Sequence, residues 1–117
     1  MRQGVVKMEW EMGLQEEYLE LIKAGKKKIE GRLYDEKRRQ IKPGDIISFE
    51  GGRLKVRVKA IRVYKSFREM LEKEGLENVL PGVESVEEGV QIYRQFYDEE
   101  REKKYGVVAI EIEPLEE

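Results

Sequence analysis

Eleven residues from Leu54 to Tyr64, LKVRVKAIRVY, leave the backbone little choice. Leu54, Val56, Val58 and Ala60 fall on one side and Lys55, Arg57 and Lys59 on the other. That period of two marks a half-buried strand, and the β-branched residues suit a pleated surface better than a helix.

The segments on either side supply partners and cover. Lys7 to Met12 alternates Met8, Trp10 and Met12 against Lys7, Glu9 and Glu11, which predicts another strand. Leu14, Tyr18, Leu21 and Ile22 then recur at helical spacing, and Gly25 is placed to stop that helix. Lys28 to Leu33 reads as a short strand. Pro43-Gly44-Asp45 marks a turn, Ile46 to Glu50 a strand, and Gly51-Gly52 a tight hairpin into Leu54. Ser66 with Glu69, and Ser85 with Glu88, carry the spacing of capping boxes and predict two further helices. Val107 to Ile112 is the closing strand, with Val107, Ala109 and Glu111 opposite Val108, Ile110 and Ile112. Five strands with three interspersed helices read as α+β, a small open or partly closed barrel.

A chain of 117 residues has room for one core. Residues 1–7 read as an N-terminal extension and 8–117 as a single domain. Hydrophobic residues make up 39% and charged residues 41%; Cys and His are absent. This thermophile-like composition excludes disulfides, thiolate nucleophiles and zinc–thiolate sites, and removes the usual neutral-pH base. Carboxylates are scattered, so neither a metal site nor a cofactor is expected. The apolar runs are too short to span a bilayer and no secretory segment is evident, so a cytoplasmic location is the expectation.

Charge is divided along the chain. Lys23 to Arg68 holds sixteen Lys and Arg against five Asp and Glu, and Glu69 to Glu117 holds five against fifteen. Two arrangements follow: the blocks occupy separate faces, one of them turned toward a polyanion, or they pair across the fold. Segregation is the expectation.

Within the basic block, Gly25-Lys26-Lys27-Lys28-Ile29-Glu30-Gly31-Arg32 sets one acid among cations. In an extended segment Lys28, Glu30 and Arg32 share a face and Lys27 takes the other. Opposite charges keep Glu30 ionised, and a carboxylate held that way accepts hydrogen bonds from an exocyclic amine or a hydroxyl. A desolvated Lys27 would have a depressed pKa and serve as a base. Lys37, Arg38 and Arg39 in the following loop, with Lys26, Lys27 and Lys28 and the strand residues Lys55 and Arg57, are candidate phosphate contacts. Tyr105 before the closing strand is a candidate cleft aromatic. Tyr93 and Tyr97, at i and i+4, read as core or interface packing.

The order helix, A-G-K-K-x-I-E-x-R, I-K-P-G-D-x-I-x-F, basic strand, helical insert and closing Y-G-V-V-A-I-E-I resembles the ASCH domain of the PUA-like superfamily, over about Met8 to Leu115. The resemblance implies a pseudo-barrel of about five to six strands, with a cleft between barrel and first helix. Its expected partner is RNA or a modified nucleoside. Some ASCH proteins are amidohydrolases acting on N4-acetylcytidine. Their catalytic Lys matches Lys27, but their Thr is replaced by Glu30, and their further Glu falls near Gly82, with Glu74 and Glu84 nearby. The resemblance therefore implies recognition first, with Lys27, Glu30 and Arg32 lining the cleft. In the hydrolytic alternative the same three would be catalytic. Oligomeric state is not set by the sequence.

Overall fold

Strand β4 (Leu54–Tyr64) runs through the middle of a five-stranded sheet in the computed structural model, which describes residues 8–115. The order is β1 (Glu9–Met12), β3 (Ile46–Phe49), β4, β5 (Val107–Pro114) and β2 (Ile29–Leu33). Among the described residues only β1 and β3 pair in parallel. Among the described residues β1 and β2 remain edges, so the sheet is a half-barrel. The expected extension at residues 1–7 and the last two residues of the expected domain lie outside the described residues.

Strand β5 shows why the chain builds cores on both sides. Val108, Ile110 and Ile112 join a cluster with Leu19, Ile22, Ile47, Phe49, Val56 and Val58, under helix α1 (Glu16–Lys23). Val107 and Ala109 point the other way, into a cluster with Phe67, Met70, Leu71, Val79, Val90 and Tyr93. Alternate residues of one strand thus serve opposite faces. Each fully buried large aliphatic side chain contributes about 1.5–3 kcal/mol.

The β4 alternation holds only as far as Val58. A register shift against β5 between Val58 and Ala60 inserts one residue. The inward face changes parity there, and Ile61 rather than Ala60 packs on the first cluster.

The described residues form five helices in place of the three expected. Besides α1 they are α2 (Phe67–Glu74), α3 (Leu76–Val79), α4 (Val86–Arg94) and α5 (Glu99–Tyr105), with a short 3-10 turn at Arg38–Gln40. Ser66 and Ser85 cap α2 and α4, their hydroxyls accepting from the amides of Glu69 and Glu88 at 3.0 and 3.1 Å. The returning carboxylates reach one residue beyond the caps, to the amides of Lys65 and Glu84. Helix α3 is a single turn, and α5 buries only Glu102, so neither carries an apolar stripe that periodicity detects.

Candidate functional site

Helix α1 ends at Lys23, and Gly25 turns the chain at a φ of +78°. The amides of Lys26 and Lys27 then both donate to the Leu21 carbonyl, folding the backbone over the helix end and dropping Lys27 inward before β2 begins. Its side chain is 1% exposed. Nζ donates to the carbonyls of Ile29 at 2.7 Å and Val79 at 2.5 Å, and lies 3.2 Å from Glu30 Oε1. Three acceptors match the three N–H groups of an ammonium.

Glu30 bridges to the next cation. Its Oε2 accepts from Arg32 Nε at 2.6 Å, and Arg32 Nη2 donates to the Gly13 carbonyl at 2.6 Å. Burial pushes the Glu30 carboxyl up, but the charges of Arg32 and Lys27 outweigh it and hold the group below its ordinary value. Burial pushes Lys27 down, against the opposing pull of Glu30. The hydrogen-bond geometry is that of a carboxylate between two cations.

These three side chains line a cavity of about 400 Å³. Its aromatic wall is Tyr18 from α1 and Tyr93 from α4, with Phe96 and Tyr97 just past the α4 C-terminus; Leu80, Gly31 and Ile92 complete the apolar surface. Phe67 backs the wall, its ring stacked 4.2 Å from Tyr93 and 5.5 Å from Tyr97. Burial, then the Glu30 charge, raises the Tyr93 phenol well above its ordinary pKa. Gly31 is needed where it stands. A Cβ there would come within 2.6 Å of Met70 Cε and 2.8 Å of the Tyr93 hydroxyl oxygen. Gly13, Leu14 and Gln15 form the rim with Glu50, whose Oε2 accepts from the Leu14 amide at 2.7 Å.

Lys27, Glu30 and Arg32 thus meet at one cavity between α1, β2 and α4. The expectation that Lys27 faces away from Glu30 fails, because Lys27 precedes the strand and its direction is set by the turn. Lys26 and Lys28 are exposed and do not line the cavity. Arg38 pairs with Asp35 at 2.8 Å, and the Arg39 guanidinium lies over the Tyr34 ring, 4.4 Å from its centroid.

The β4 cations meet carboxylates instead of an open face. Lys55 pairs with Glu9, Arg57 with Glu113, and Lys59 with Glu111 and Glu113. Three cations face three carboxylates on that surface, and through Glu111 and Glu113 the acidic block pairs with the basic one here. Tyr105 is also displaced from its expected place. It ends α5, which packs beside β2, and its ring joins the second apolar cluster outside the cavity lining.

Glu74 is held by Arg62 at 2.6 and 2.8 Å and by the Tyr64 hydroxyl at 2.6 Å, Glu84 is exposed, and neither lines the cavity. Sequence reasoning missed Tyr18, Phe96 and Glu50 as cavity residues and assigned Tyr93 and Tyr97 to packing. The available signal was the i, i+3, i+4 spacing of Tyr93, Phe96 and Tyr97, which an ordinary core stripe shares. Among the described residues no group of three or more Asp or Glu is placed to hold a metal ion, and no helix is long and apolar enough to cross a membrane.

A profile of the ASCH domain matches residues 12–116. The crystal structure of hypothetical protein PH0355 is 87% identical, superposes with a TM-score of 0.91, and is covered over 100% of its chain by 92% of this one. The solution structure of PF0455 from Pyrococcus furiosus is 88% identical, with a TM-score of 0.82 and coverage of 94% of this chain and 100% of the other. A ZmASCH mutant protein from Zymomonas mobilis shares only 16% identity, over 92% of this chain and 71% of its own, yet reaches a TM-score of 0.62; that likeness is one of fold. Comparison with curated proteins finds no match. The fold and the profile agree: this chain belongs to the ASCH domain family.

Proposed function

We propose that the cavity receives a nucleobase or nucleoside, with RNA as its source. The observation that carries this reading is the convergence of Lys27, Glu30 and Arg32 on one aromatic-walled hollow. A volume of about 400 Å³ falls within the usual range for small-ligand sites. A carboxylate clamped by two cations stays ionised and accepts from an exocyclic amine, while the remaining Arg32 N–H groups donate to ring oxygens or nitrogens. Tyrosine faces offer stacking worth about 1–3 kcal/mol per base. Phosphate contacts fall to Lys37 and Arg39, since the cations of β4 are matched by carboxylates.

The test is titration of ribonucleosides, N4-acetylcytidine included, into isotope-labelled protein. Shifts at the amides of Gly31, Tyr93 and Tyr97, lost in Arg32→Ala, support the reading. Absence of shifts with every nucleoside at millimolar concentration overturns it.

A second reading, amidohydrolysis of an acylated nucleoside, draws on the depressed pKa of Lys27. It requires Nζ to give up a proton while facing two carbonyls and a carboxylate, which favour the ammonium. Incubation with N4-acetylcytidine separates the two. Cytidine release that disappears in Lys27→Met supports hydrolysis, and no turnover at high enzyme concentration ends it.

A further inference from the structure

We infer that a phosphate-binding subsite adjoins the cavity, built from the loop after β2 and the C-terminal end of α5, so that the ligand is a strand of RNA and not a free nucleoside. This rests on the reading of the cavity as a base site.

The β2–β5 ladder continues one residue past its last paired position. Leu33 opposes Val107, and the Tyr34 amide then donates to the Gly106 carbonyl at 2.9 Å. Strand parity therefore carries on, and Glu30, Arg32 and Tyr34 follow one another on one face. Two residues of strand advance about 7 Å, a step comparable with one nucleotide of an extended chain. Beyond Arg32, the next side chain of the same parity is thus Tyr34, half-buried against the first apolar cluster with the Arg39 guanidinium against its ring.

The same ladder brings α5 alongside. Arg39 Nη2 donates to the Tyr105 carbonyl at 3.4 Å, and Lys104 Nζ lies 5.2 Å from the Tyr105 ring centroid. Residues 35–39 and 103–105 together hold five cations and two carboxylates. Asp35 is taken by Arg38. Among the described residues Lys37, Arg39, Lys103 and Lys104 form no ion pair, unlike Lys55, Arg57, Lys59 and Arg62 of the neighbouring sheet. Cations left unmatched, one step along β2 from a base cavity, suit the phosphodiesters of a single strand. An acidic protein would find charge here, but nothing that explains the step from the cavity.

Lys103 and Lys104 supply the test, because nothing else in the cavity reading depends on them. Binding of a fluorescein-labelled RNA octanucleotide of mixed sequence is followed by anisotropy across a salt series. Lys103→Gln with Lys104→Gln should weaken it severalfold and lower the slope of log K against log salt by about 1.4, at about 0.7 per single-strand phosphate contact. Lys23→Gln with Lys73→Gln removes the same charge elsewhere and should leave the slope unchanged. Circular dichroism confirms that both variants fold. Equal slopes for both pairs overturn the subsite and leave the cavity reading standing. Displacement of the octanucleotide by a polyglutamate peptide at equal affinity overturns the assignment to a nucleic-acid strand. Octanucleotide binding that depends on Lys103 and Lys104, in a protein that ignores every nucleoside, supports the subsite and sinks the base cavity.

Discussion

Glu30 Oε1 and Lys27 Nζ lie 3.2 Å apart, with 7% of one side chain and 1% of the other exposed. Arg32 completes the cluster from the opposite side of the carboxylate. Attraction between buried charges does not guarantee net stabilisation, because each first loses its hydration. Removing one member is a different matter. It leaves the others desolvated without a counter-charge.

Glu30→Gln should accordingly destabilise the fold by about 3–5 kcal/mol. Urea unfolding measures the loss. Combining it with Lys27→Met should cost less than the two single losses together, since the double variant no longer buries an unpaired ammonium. Additive losses would show that the pair is not coupled.

The Glu30 carboxyl is held below its ordinary value of 4.5. Between that folded pKa and 4.5 the unfolded chain binds the proton more readily, so stability rises with pH across the window and is lost as pH falls through the folded value. Above pH 4.5 the contribution is complete. The stability gap between the native protein and Glu30→Gln should therefore narrow on acidification below about pH 4.5. A gap that widens in acid would reverse the assignment.

Gly31→Ala places a methyl against Met70 and the Tyr93 hydroxyl. Met70 Cε is the end of a flexible chain and can yield, while the tyrosine ring is fixed by its stack on Phe67. The expected cost is about 1–3 kcal/mol, with the cavity narrowed from its β2 side. Nucleoside affinity should fall by more than the change in melting temperature alone explains, a comparison made on fully folded protein.

Asp45 is 5% exposed and ties the edge strand down. Its carboxylate accepts from Trp10 Nε1 at 2.9 Å, the Lys42 amide at 3.0 Å and the Met8 amide at 3.3 Å. Asp45→Ala should cost about 1–3 kcal/mol. Hydrogen exchange should quicken first at the β1 amides, whose pairing with β3 is the one ladder that strand has among the described residues. Uniform quickening across the sheet would contradict this local role.

Lys55→Gln with Glu9→Gln should barely alter RNA affinity, because the pair removed carries no net charge. Lys37→Gln with Arg39→Gln should lower the salt slope by about 1.4. Anisotropy at several salt concentrations distinguishes them. The reverse order would return the phosphate path to β4.

Much of this was open to local reasoning. The β4 alternation as far as Val58, the serines ahead of α2 and α4 and the glycine after α1 act through contacts within a few residues, and those contacts form as expected. Helix α5 escaped because Glu-Glu-Arg-Glu-Lys-Lys-Tyr has no apolar face. Its burial rests on Glu102, which accepts from the Phe67 amide and from Arg94, both at 2.7 Å. The β4 register shift escaped as well, since an inserted residue changes parity without changing composition.

Sequence alone determined the strands, the capped helices and the basic segment that holds Lys27, Glu30 and Arg32, because backbone sterics, side-chain period and capping act over short range. Only the tertiary structure decided that Lys27 turns inward to meet Glu30, and that Tyr93 and Tyr97 wall a cavity as well as pack on Phe67. It also decided which cations are matched: Arg57 finds Glu113 across the sheet and Arg62 finds Glu74, while Arg39 rests on Tyr34. Charge acts through space, and two residues distant along the chain neutralise one another only after the fold has set them side by side.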